Sequence, residues 1–263
     1  MADRMFSNAE AYERLMGRWS QRLAVQLLEF AGVRDGDRVL DVGSGTGSLA
    51  LATAAATRRS EVVGIEPTVA FVEYARARTT DARLRFEVGD AQDLPYSEAA
   101  FDRTLACLVL MFVPDAPRAV AEMRRVTRPA GTVVACVWDV TGGMELTRVF
   151  WDGAVALDPS AEPRRETHMP YSRPGELADL WRGAGLADVE ETGLIIPLEF
   201  ASYDDFWEPF LLGQGPPGVY VAGLDATRRS ALHEQLRRNL FGTQPDGPFT
   251  LRARAWAVRG TRP

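Results

Sequence analysis

The decapeptide DVGSGTGSLA, residues 41–50, follows a strand-like run at 38–40 and leads into an alanine-rich helical pattern. Its three alternating glycines, Gly43, Gly45 and Gly47, therefore occupy the turn from a first strand into a first helix. Glycine adopts the backbone dihedrals that such a turn requires and lets a ligand approach the main chain closely. A dinucleotide fingerprint, G-x-G-x-x-G, would need a glycine at Ser48. The spacing predicts a ligand-binding turn and disfavours a dinucleotide as its ligand.

Short β-branched runs alternate with longer helical patterns on either side of this turn. The predicted strands are 38–42, 61–65, 84–88, 101–107 and 132–138, and the predicted helices are 8–31, 48–57, 68–78 and 116–126. Nearly continuous apolar strands separated by helices indicate a parallel sheet that is covered on both faces. Right-handed crossovers then give a doubly wound sheet, whose ligands bind at the carboxyl ends of the strands.

The pattern changes after Trp138. Residues 139–175 carry several Gly and Pro residues and one helical pattern at 145–156, and we interpret them as a lid. The segments that follow are a helix at 177–184, a strand at 189–200, two helices within 202–241 joined by GQGPPG, and an alternating strand at 249–258. Such alternation fits an antiparallel strand with one wetter face. We therefore predict an α/β, Rossmann-like, doubly wound seven-stranded sheet with its last strand antiparallel and with helical lid or cap insertions.

Length and composition fit one structural domain of 263 residues, with a ligand-binding core and N-terminal helical segment at 1–138 and a lid, sheet-completing and helical part at 139–263. A net charge of −6 argues against a polyanionic partner such as nucleic acid. No apolar stretch reaches the ~20 residues of a membrane helix, and we find no signal-peptide pattern. We expect a cytoplasmic monomer or homodimer with two buried free thiols, Cys107 and Cys136, and no metal site.

Four further motifs follow the glycine turn in order. They are VGIEP at 63–67, GDAQDLP at 89–95, FD at 101–102 and MRRVTRPAG at 123–131. Together with VLDVGSGTG at 39–47, they resemble the class I S-adenosylmethionine-dependent methyltransferases, closely over 38–138 and loosely beyond. The resemblance implies that S-adenosylmethionine is the cofactor, that S-adenosylhomocysteine is its product, and that the methyl group goes to a small-molecule substrate.

The resemblance also implies roles for individual residues. Glu66, at the end of the second strand, would accept hydrogen bonds from the ribose diol, and such charge-assisted bonds contribute roughly 1.5–3 kcal/mol each. Asp90 would accept from the adenine amino group, and Asp41 would pair with the cofactor ammonium or orient the glycine turn. The full set of expected cofactor contacts is Tyr12, Arg18, Trp19, Asp41, Gly43, Ser44, Gly45, Gly47, Glu66, Pro67, Asp90, Ala91, Gln92, Cys107 and Leu108.

Structural alternatives to these roles stay open. Asp41 could cap the following helix, Glu66 could be a solvated strand end, and Asp90 could be a turn residue. Arg18 either meets the cofactor carboxylate through two parallel bonds or is a surface residue of an amphipathic helix.

Methyl transfer is an in-line displacement that needs an aligned nucleophile, and it needs a general base only when that nucleophile is protonated and weakly acidic. Many small-molecule members of the family carry a His just after the fourth strand, where this chain has Phe112. The remaining candidates for a base are His168, Tyr171 and Asp139, with Glu145 as a further one. The alternatives are that His168 is a surface-loop residue and that Asp139 caps a turn.

The second half of the chain is rich in aromatic residues, which suggests a flat, apolar acceptor. We therefore expect transfer to an aromatic or apolar metabolite, to oxygen before nitrogen or carbon. A second hypothesis keeps the cofactor without the transfer, as in a cyclase that uses its positive charge or in a regulatory binding module. A third hypothesis, a nicotinamide oxidoreductase, is disfavoured by Ser48 and by the Asp90-Ala91 motif.

Overall fold

A computed structural model describes residues 8–263. Its strands are β1 (Arg38–Val42), β2 (Glu61–Glu66), β3 (Leu84–Val88), β4 (Phe101–Cys107), β5 (Thr127–Trp138), β6 (Ala187–Phe200) and β7 (Phe249–Thr261). They form one sheet in the order β3-β2-β1-β4-β5-β7-β6. The five strands from β3 to β5 pair in parallel, and β7 is antiparallel to both of its neighbours. The predicted fold class is therefore confirmed.

The helices are α1 (Ala9–Tyr12), α2 (Arg18–Ala31), α3 (Ser48–Ala56), α4 (Val69–Ala77), α5 (Ala116–Val126), α6 (Glu145–Leu157), α7 (Glu176–Gly183), α8 (Tyr203–Trp207), α9 (Gly215–Ala222) and α10 (Ala226–Phe241). The helix predicted at 8–31 is interrupted, because a π-helical turn at Glu13–Gly17 separates α1 from α2. Such turns often occur at functional sites.

The prediction of two helices within 202–241 was wrong. This segment contains α8, a 3-10 turn at Glu208–Leu212, α9 and α10. The predicted loop GQGPPG is only partly a loop, because α9 begins at Gly215 within it. Pro216 and Pro217 lie in the first turn of α9, where a proline loses no helical hydrogen bond.

Both faces of the central strands β1 and β2 are buried, as continuous apolar strands require. Leu23 and Leu27 of α2 pack on one face, and Val120 and Met123 of α5 pack on the other. Alternate residues along each strand belong to opposite faces. In β7 the side chains of Ala253, Ala255 and Ala257 are fully buried, and those of Arg252 and Arg254 reach the other, wetter face. The alternation read from the sequence of this strand is confirmed.

Residues 139–263 place a helical layer beside the carboxyl ends of the central strands. In this layer α6 packs against α10, and the crossing is close because Gly153 carries no side chain. A Cβ atom at Gly153 would lie 2.5 Å from Leu236 Cδ2. A lid role for residues 139–175 stays a proposal. Within residues 8–263, the helices all fall short of the length and apolarity that a membrane span needs.

Candidate functional site

The glycine turn is held at the carboxyl end of β1 by its own backbone. The N–H groups of Gly43 and Ser44 both donate to the carbonyl of Ile65, at 2.8 and 3.0 Å. Gly43, Gly45 and Gly47 have φ values of +68°, +52° and +89°, which side chains disfavour. A Cβ atom at Gly45 would meet no atom within 4 Å among the described residues. The main chain of Gly45 therefore faces open space, as close approach by a ligand requires.

Glu66 ends β2 directly beside this turn. Its Oε2 atom accepts from the N–H of Gly45 at 3.2 Å, and its Oε1 atom accepts from the N–H of Thr68 at 3.0 Å. Burial raises the pKa of Glu66, and these hydrogen bonds oppose that rise. The carboxylate is thus fixed in orientation at the mouth of the cleft, with lone pairs left to accept further bonds.

Asp41 lies beneath the turn and is 1% exposed. Its Oδ2 atom accepts from the N–H of Ala50 at 3.1 Å, which is the helix-capping alternative considered above. Its Oδ1 atom and the hydroxyl of Ser44 are buried and have no hydrogen-bond partner within residues 8–263. Burial raises the pKa of Asp41 to about 7, and the nearby charge of Glu66 adds to the rise. Two such unsatisfied acceptors fit a ligand that brings a cation and hydrogen-bond donors.

A cleft of about 550 Å³ opens along the carboxyl ends of β1, β2 and β4. Ten of the residues expected to contact the cofactor line it: Tyr12, Gly43, Gly45, Glu66, Pro67, Asp90, Ala91, Gln92, Cys107 and Leu108. The carboxylate of Asp90 accepts from the side-chain amide of Gln92 at 3.1 Å and from its backbone N–H at 2.8 Å. These hydrogen bonds form a local turn, but the Asp90 carboxylate remains exposed at the cleft and can still accept a hydrogen bond from a ligand.

Five of the expected contacts are not on the cleft surface. Asp41 and Ser44 lie beneath it, and Gly47 serves the turn by donating its N–H to the carbonyl of Ser44 at 2.8 Å. Arg18 has another partner: its guanidinium contacts both carboxylate oxygens of Asp205, at 2.8 and 3.0 Å. It also stacks 4.2 Å from the ring centroid of Trp19, which is buried against Phe200. Arg18 and Trp19 therefore tie α2 to the helical layer and do not reach the cleft.

A second cavity, of about 70 Å³ and largely apolar, adjoins the cleft. Tyr12, Leu108 and Phe112 line both spaces. Leu108 has a φ of +64° and donates its N–H to the carbonyl of Cys136 at 2.8 Å, so the chain turns sharply as it leaves β4. We refer to this second cavity as the apolar pocket; its other lining residues are Leu15, Met16, Met111, Trp138, Val140, Met144, Leu146, Thr147, Glu166, Met169, Phe210, Gly215, Pro216 and Pro217.

None of the predicted catalytic residues lines the cleft or the apolar pocket in the described part of the chain. His168 is exposed in a 3-10 turn, and Tyr171 is partly buried against the face of the sheet that α5 covers. Asp139 is buried in a turn, where it accepts from Thr141 and from Arg254 Nε at 2.7 and 2.8 Å. Glu145 accepts from the backbone N–H of Arg252. These contacts are structural, because they use the carboxylates to hold loops together.

Two carboxylates at the site were not among the predicted residues. Glu166 is a wall of the apolar pocket, and no local motif marks it. Glu13 bonds to the hydroxyl of Thr46 in the glycine turn. The sequence offered one signal for Glu13, a glycine at position 17 inside a helical pattern. A Cβ atom at Gly17 would lie 2.5 Å from the Glu13 carboxylate, so only glycine leaves room for it. An isolated glycine inside a helix often has such a packing reason.

The two thiols are neighbours across β4 and β5. Cys107 and Cys136 are free, with their sulfur atoms 3.7 Å apart. The hydrogen bond between the two thiols and burial raise the pKa of Cys107 well above its usual value, so the thiol at the cleft wall stays protonated. Over residues 8–263, groups of three or more His, Cys, Asp or Glu that could hold a metal ion are absent.

The strand order, the glycine turn and the carboxylate that ends β2 define a Rossmann-like protein with a nucleoside-binding cleft. A family model described as a methyltransferase domain matches residues 40–135. A demethylmenaquinone methyltransferase of Roseiflexus sp. is 32% identical over 164 residues, which cover 58% of this chain and 68% of the relative. The chain belongs to the class I S-adenosylmethionine-dependent methyltransferase family.

Two further comparisons extend this result. An uncharacterized protein of Mycobacterium tuberculosis is 33% identical over 169 residues, and the match spans 62% of each chain, less than two thirds of that relative's length. The crystal structure of YcgJ from Bacillus subtilis has the same fold, with a TM-score of 0.58, 22% identity, and coverage of 93% of this chain and 98% of that one.

Proposed function

We propose that the chain transfers a methyl group from S-adenosylmethionine to a small aromatic or apolar molecule, and to oxygen before nitrogen or carbon. The observation that carries this proposal is the shared wall between the two spaces. Tyr12, Leu108 and Phe112 border both a polar cleft suited to a nucleoside and a pocket suited to an apolar acceptor. A donor in the cleft and an acceptor in the pocket would come into contact at this junction, in the alignment that displacement requires.

The cleft residues fit the cofactor part by part. Glu66 would accept from the ribose hydroxyls and Asp90 from the adenine amino group, while the open main chain at Gly45 would lie against the amino-acid end. Asp41 and Ser44 would receive the ammonium group. Their buried oxygens without a hydrogen-bond partner in residues 8–263 support this role. When bound, the cofactor supplies a methyl group made electrophilic by a positively charged sulfur. We propose no role for Arg18 in binding the cofactor carboxylate, because its guanidinium group is already paired with the carboxylate of Asp205.

The pocket supports the choice of acceptor. Its walls are mostly aliphatic and aromatic, with polar side chains only at Tyr12, Thr147 and Glu166 among the described lining residues. Such a site selects an apolar frame and uses a few polar groups to orient it. The Roseiflexus relative is named for methylating demethylmenaquinone, and we take from that name only the proposal of a small-molecule acceptor.

Calorimetric titration and labelled turnover together test the proposal. We expect S-adenosylhomocysteine to bind and NAD to bind far more weakly; the reverse order would refute the cofactor assignment. With methyl-labelled cofactor and a library of phenols and enols, we expect the label to appear in a product. Consumption of an acceptor with no label in any product would instead indicate a non-methylating catalyst such as a cyclase. Cofactor binding with no acceptor consumed would indicate a regulatory module.

A further inference from the structure

One carboxylate faces the apolar pocket. Glu166 is the single Asp or Glu among the described residues that line it, and it lies in the 3-10 turn Glu166–His168. The surrounding wall includes Met111, Met144 and Met169. Methionine side chains repack readily around different ligands, so the shape of this pocket is adaptable. The position of its one anionic group is therefore the more selective feature.

Trp151 holds this carboxylate in place. The indole Nε1–H of Trp151 donates to Oε2 of Glu166 at 2.9 Å. Trp151 is 2% exposed and packs edge-on against Phe150, so the donor itself is immobilised. Across residues 8–263, this is the only side-chain hydrogen bond to Glu166. One oxygen is thus anchored, and the carboxylate keeps acceptor capacity for a ligand.

The charged groups near Glu166 neutralise one another. Arg165 contacts Asp152 at 2.9 Å and Glu162 at 2.8 Å. Arg148, on α6, contacts the same Asp152 at 3.9 Å. The other ionisable side chain on the pocket wall is Tyr12, whose pKa is raised by burial to about 12. Among residues 8–263, the pocket wall therefore holds no cation that compensates Glu166. Burial raises its pKa to about 7, although the bond from Trp151 opposes the rise.

We propose that Glu166 accepts a hydrogen bond, and then the proton, from a neutral hydroxyl group on an acceptor bound in the apolar pocket. This assignment rests on the proposed function. In the transfer, a bond forms between the acceptor oxygen and the methyl carbon. The bond from that carbon to sulfur breaks, and its electron pair stays on sulfur. The hydroxyl proton moves to the carboxylate of Glu166.

The same residue has a route to water. Glu166 also lines a surface depression of about 140 Å³ together with Thr147 and Thr167, and none of the cleft-lining residues borders it. A proton received from the pocket can leave through this depression, which resets the carboxylate for the next turnover. A general base is most effective when its pKa lies near the working pH, and burial places Glu166 there.

The chemical class of the acceptor follows. A half-buried carboxylate with no cation beside it on the described pocket wall can accept a hydrogen bond from a neutral donor, such as a phenol or an enol, on an apolar frame. A phosphorylated or carboxylated acceptor would be repelled, because two like charges in a low dielectric are costly. An ammonium group would be attracted to the ionised carboxylate, but it has no free lone pair and cannot accept a methyl group until it loses a proton.

The test uses the S-adenosylhomocysteine complex and two probes, phenol and anisole, in which a methyl group replaces the hydroxyl proton of phenol. At pH 8 we expect the wild-type protein to bind phenol about tenfold more tightly than anisole, since a hydrogen bond to a charged group is lost in anisole. Glu166→Leu should equalise the two dissociation constants, measured by NMR titration. Glu234→Leu, the same change at an exposed carboxylate of α10, should retain the preference. Equal affinities in the wild type, or a preference that survives Glu166→Leu, would overturn the assignment.

Turnover separates proton transfer from binding. With phenols as acceptors, Glu166→Gln should keep KM within about threefold, because an amide oxygen still accepts, and should lower kcat by about 10²–10⁴. Trp151→Phe should move the midpoint of the kcat pH profile to higher pH, because the lost bond no longer lowers the pKa of Glu166. An unchanged kcat in Glu166→Gln would refute the base role.

Failure of the proposed methyl transfer can be distinguished from failure of the Glu166 assignment. Selective phenol binding without any methylated product would count against transfer itself, while transfer to another acceptor with unselective phenol binding would refute only Glu166.

Discussion

The carboxylate of Glu13 and the guanidinium of Arg78 form an ion pair at 3.2 Å, with side chains only 14% and 24% exposed. Both also contact Thr46 in the glycine turn. The Thr46 hydroxyl donates to Glu13, and Arg78 donates to the Thr46 carbonyl at 2.9 Å. The π-helical turn Glu13–Gly17 and the C-terminal end of α4 therefore both contact the glycine turn, and the glycine turn would receive the cofactor.

Replacing Glu13 should weaken cofactor binding without removing a cofactor contact. Glu13→Gln breaks a half-buried charge-assisted network, and we expect the dissociation constant of S-adenosylhomocysteine to rise about three- to tenfold, since only part of the lost 1.5–3 kcal/mol reaches the ligand. Calorimetry measures this change. Glu10→Gln, at an exposed position one turn earlier, is the matched control. An unaltered constant in Glu13→Gln would mean that the turn keeps its shape without this network.

Glu66→Ala should have a larger effect. The change removes the proposed acceptor for the ribose diol and also frees the N–H of Gly45, so the dissociation constant of S-adenosylhomocysteine should rise tenfold or more. Glu61→Ala, at the exposed first residue of the same strand, should leave it within twofold. Binding to the wild type should also weaken as the pH falls through the raised pKa of Glu66, because protonation removes acceptor lone pairs. If Glu66→Ala binds normally, Glu66 is not part of the site.

Asp41 should make the ligand-free protein less stable as the pH rises. Its pKa is 3.8 when unfolded and about 7 when folded. When folding raises the pKa of an acid, its contribution to the free energy of unfolding is fully present below the pKa of the unfolded state. That contribution is lost as the pH rises through the pKa of the folded state. The loss between about pH 4 and pH 7 is on the order of 1.4 kcal/mol per pH unit.

Asp41→Asn is the variant that measures this loss. It cannot ionise, so its melting temperature should exceed that of the wild type by more at pH 8 than at pH 4, while S-adenosylhomocysteine binds more weakly. Asp93→Asn, an exposed residue near the cleft, should show no such pH dependence. A constant difference between Asp41→Asn and the wild type across this range would contradict the assignment.

Asp139 should affect stability and not the pH profile of turnover. Burial alone would raise its pKa, but the hydrogen bonds from Thr141 and Arg254 outweigh burial and hold the pKa below 3.8. The stabilisation is therefore present above pH 3.8 and is lost as the pH falls through the lower folded value. Asp139→Asn should cost about 1–3 kcal/mol at pH 7 by thermal melting, and Asp179→Asn, in an exposed ion pair, less than about 0.5 kcal/mol. A catalytic role for Asp139 would instead appear as lost activity with unchanged stability.

The fold was predictable because its signals are local. Four of the first five strands, β1, β2, β4 and β5, are each followed by a helix, and Gly43, Gly45 and Gly47 mark the turn by their spacing alone. Glu66 and Asp90 were predictable for a related reason, since the ends of parallel strands meet at one edge of the sheet. The partner of Arg18 was not, because Asp205 lies 187 residues away and no periodicity links the two.

The acceptor side depends on contacts that no local pattern encodes. His168 was a candidate base because histidine is the usual base near neutral pH, yet its side chain is exposed. Glu166, two residues earlier, acquires its properties from the indole of Trp151 and from burial, which are tertiary features. Asp139 was placed correctly at the tip of β5, but its bond to Arg254 could not be seen in the sequence.

The position of β7 has a consequence for how the chain is made. β7 lies between β5 and β6, so β6 has no other strand partner among the described residues. Synthesis proceeds from the N-terminus, and 187–200 therefore leave the ribosome about fifty residues before 249–261 can pair with them. During that interval β1 to β5 can already assemble, while β6 waits with an unpaired edge. Docking of β7 would close the sheet late, and a pause or truncation in that interval would expose an edge prone to pairing with other chains.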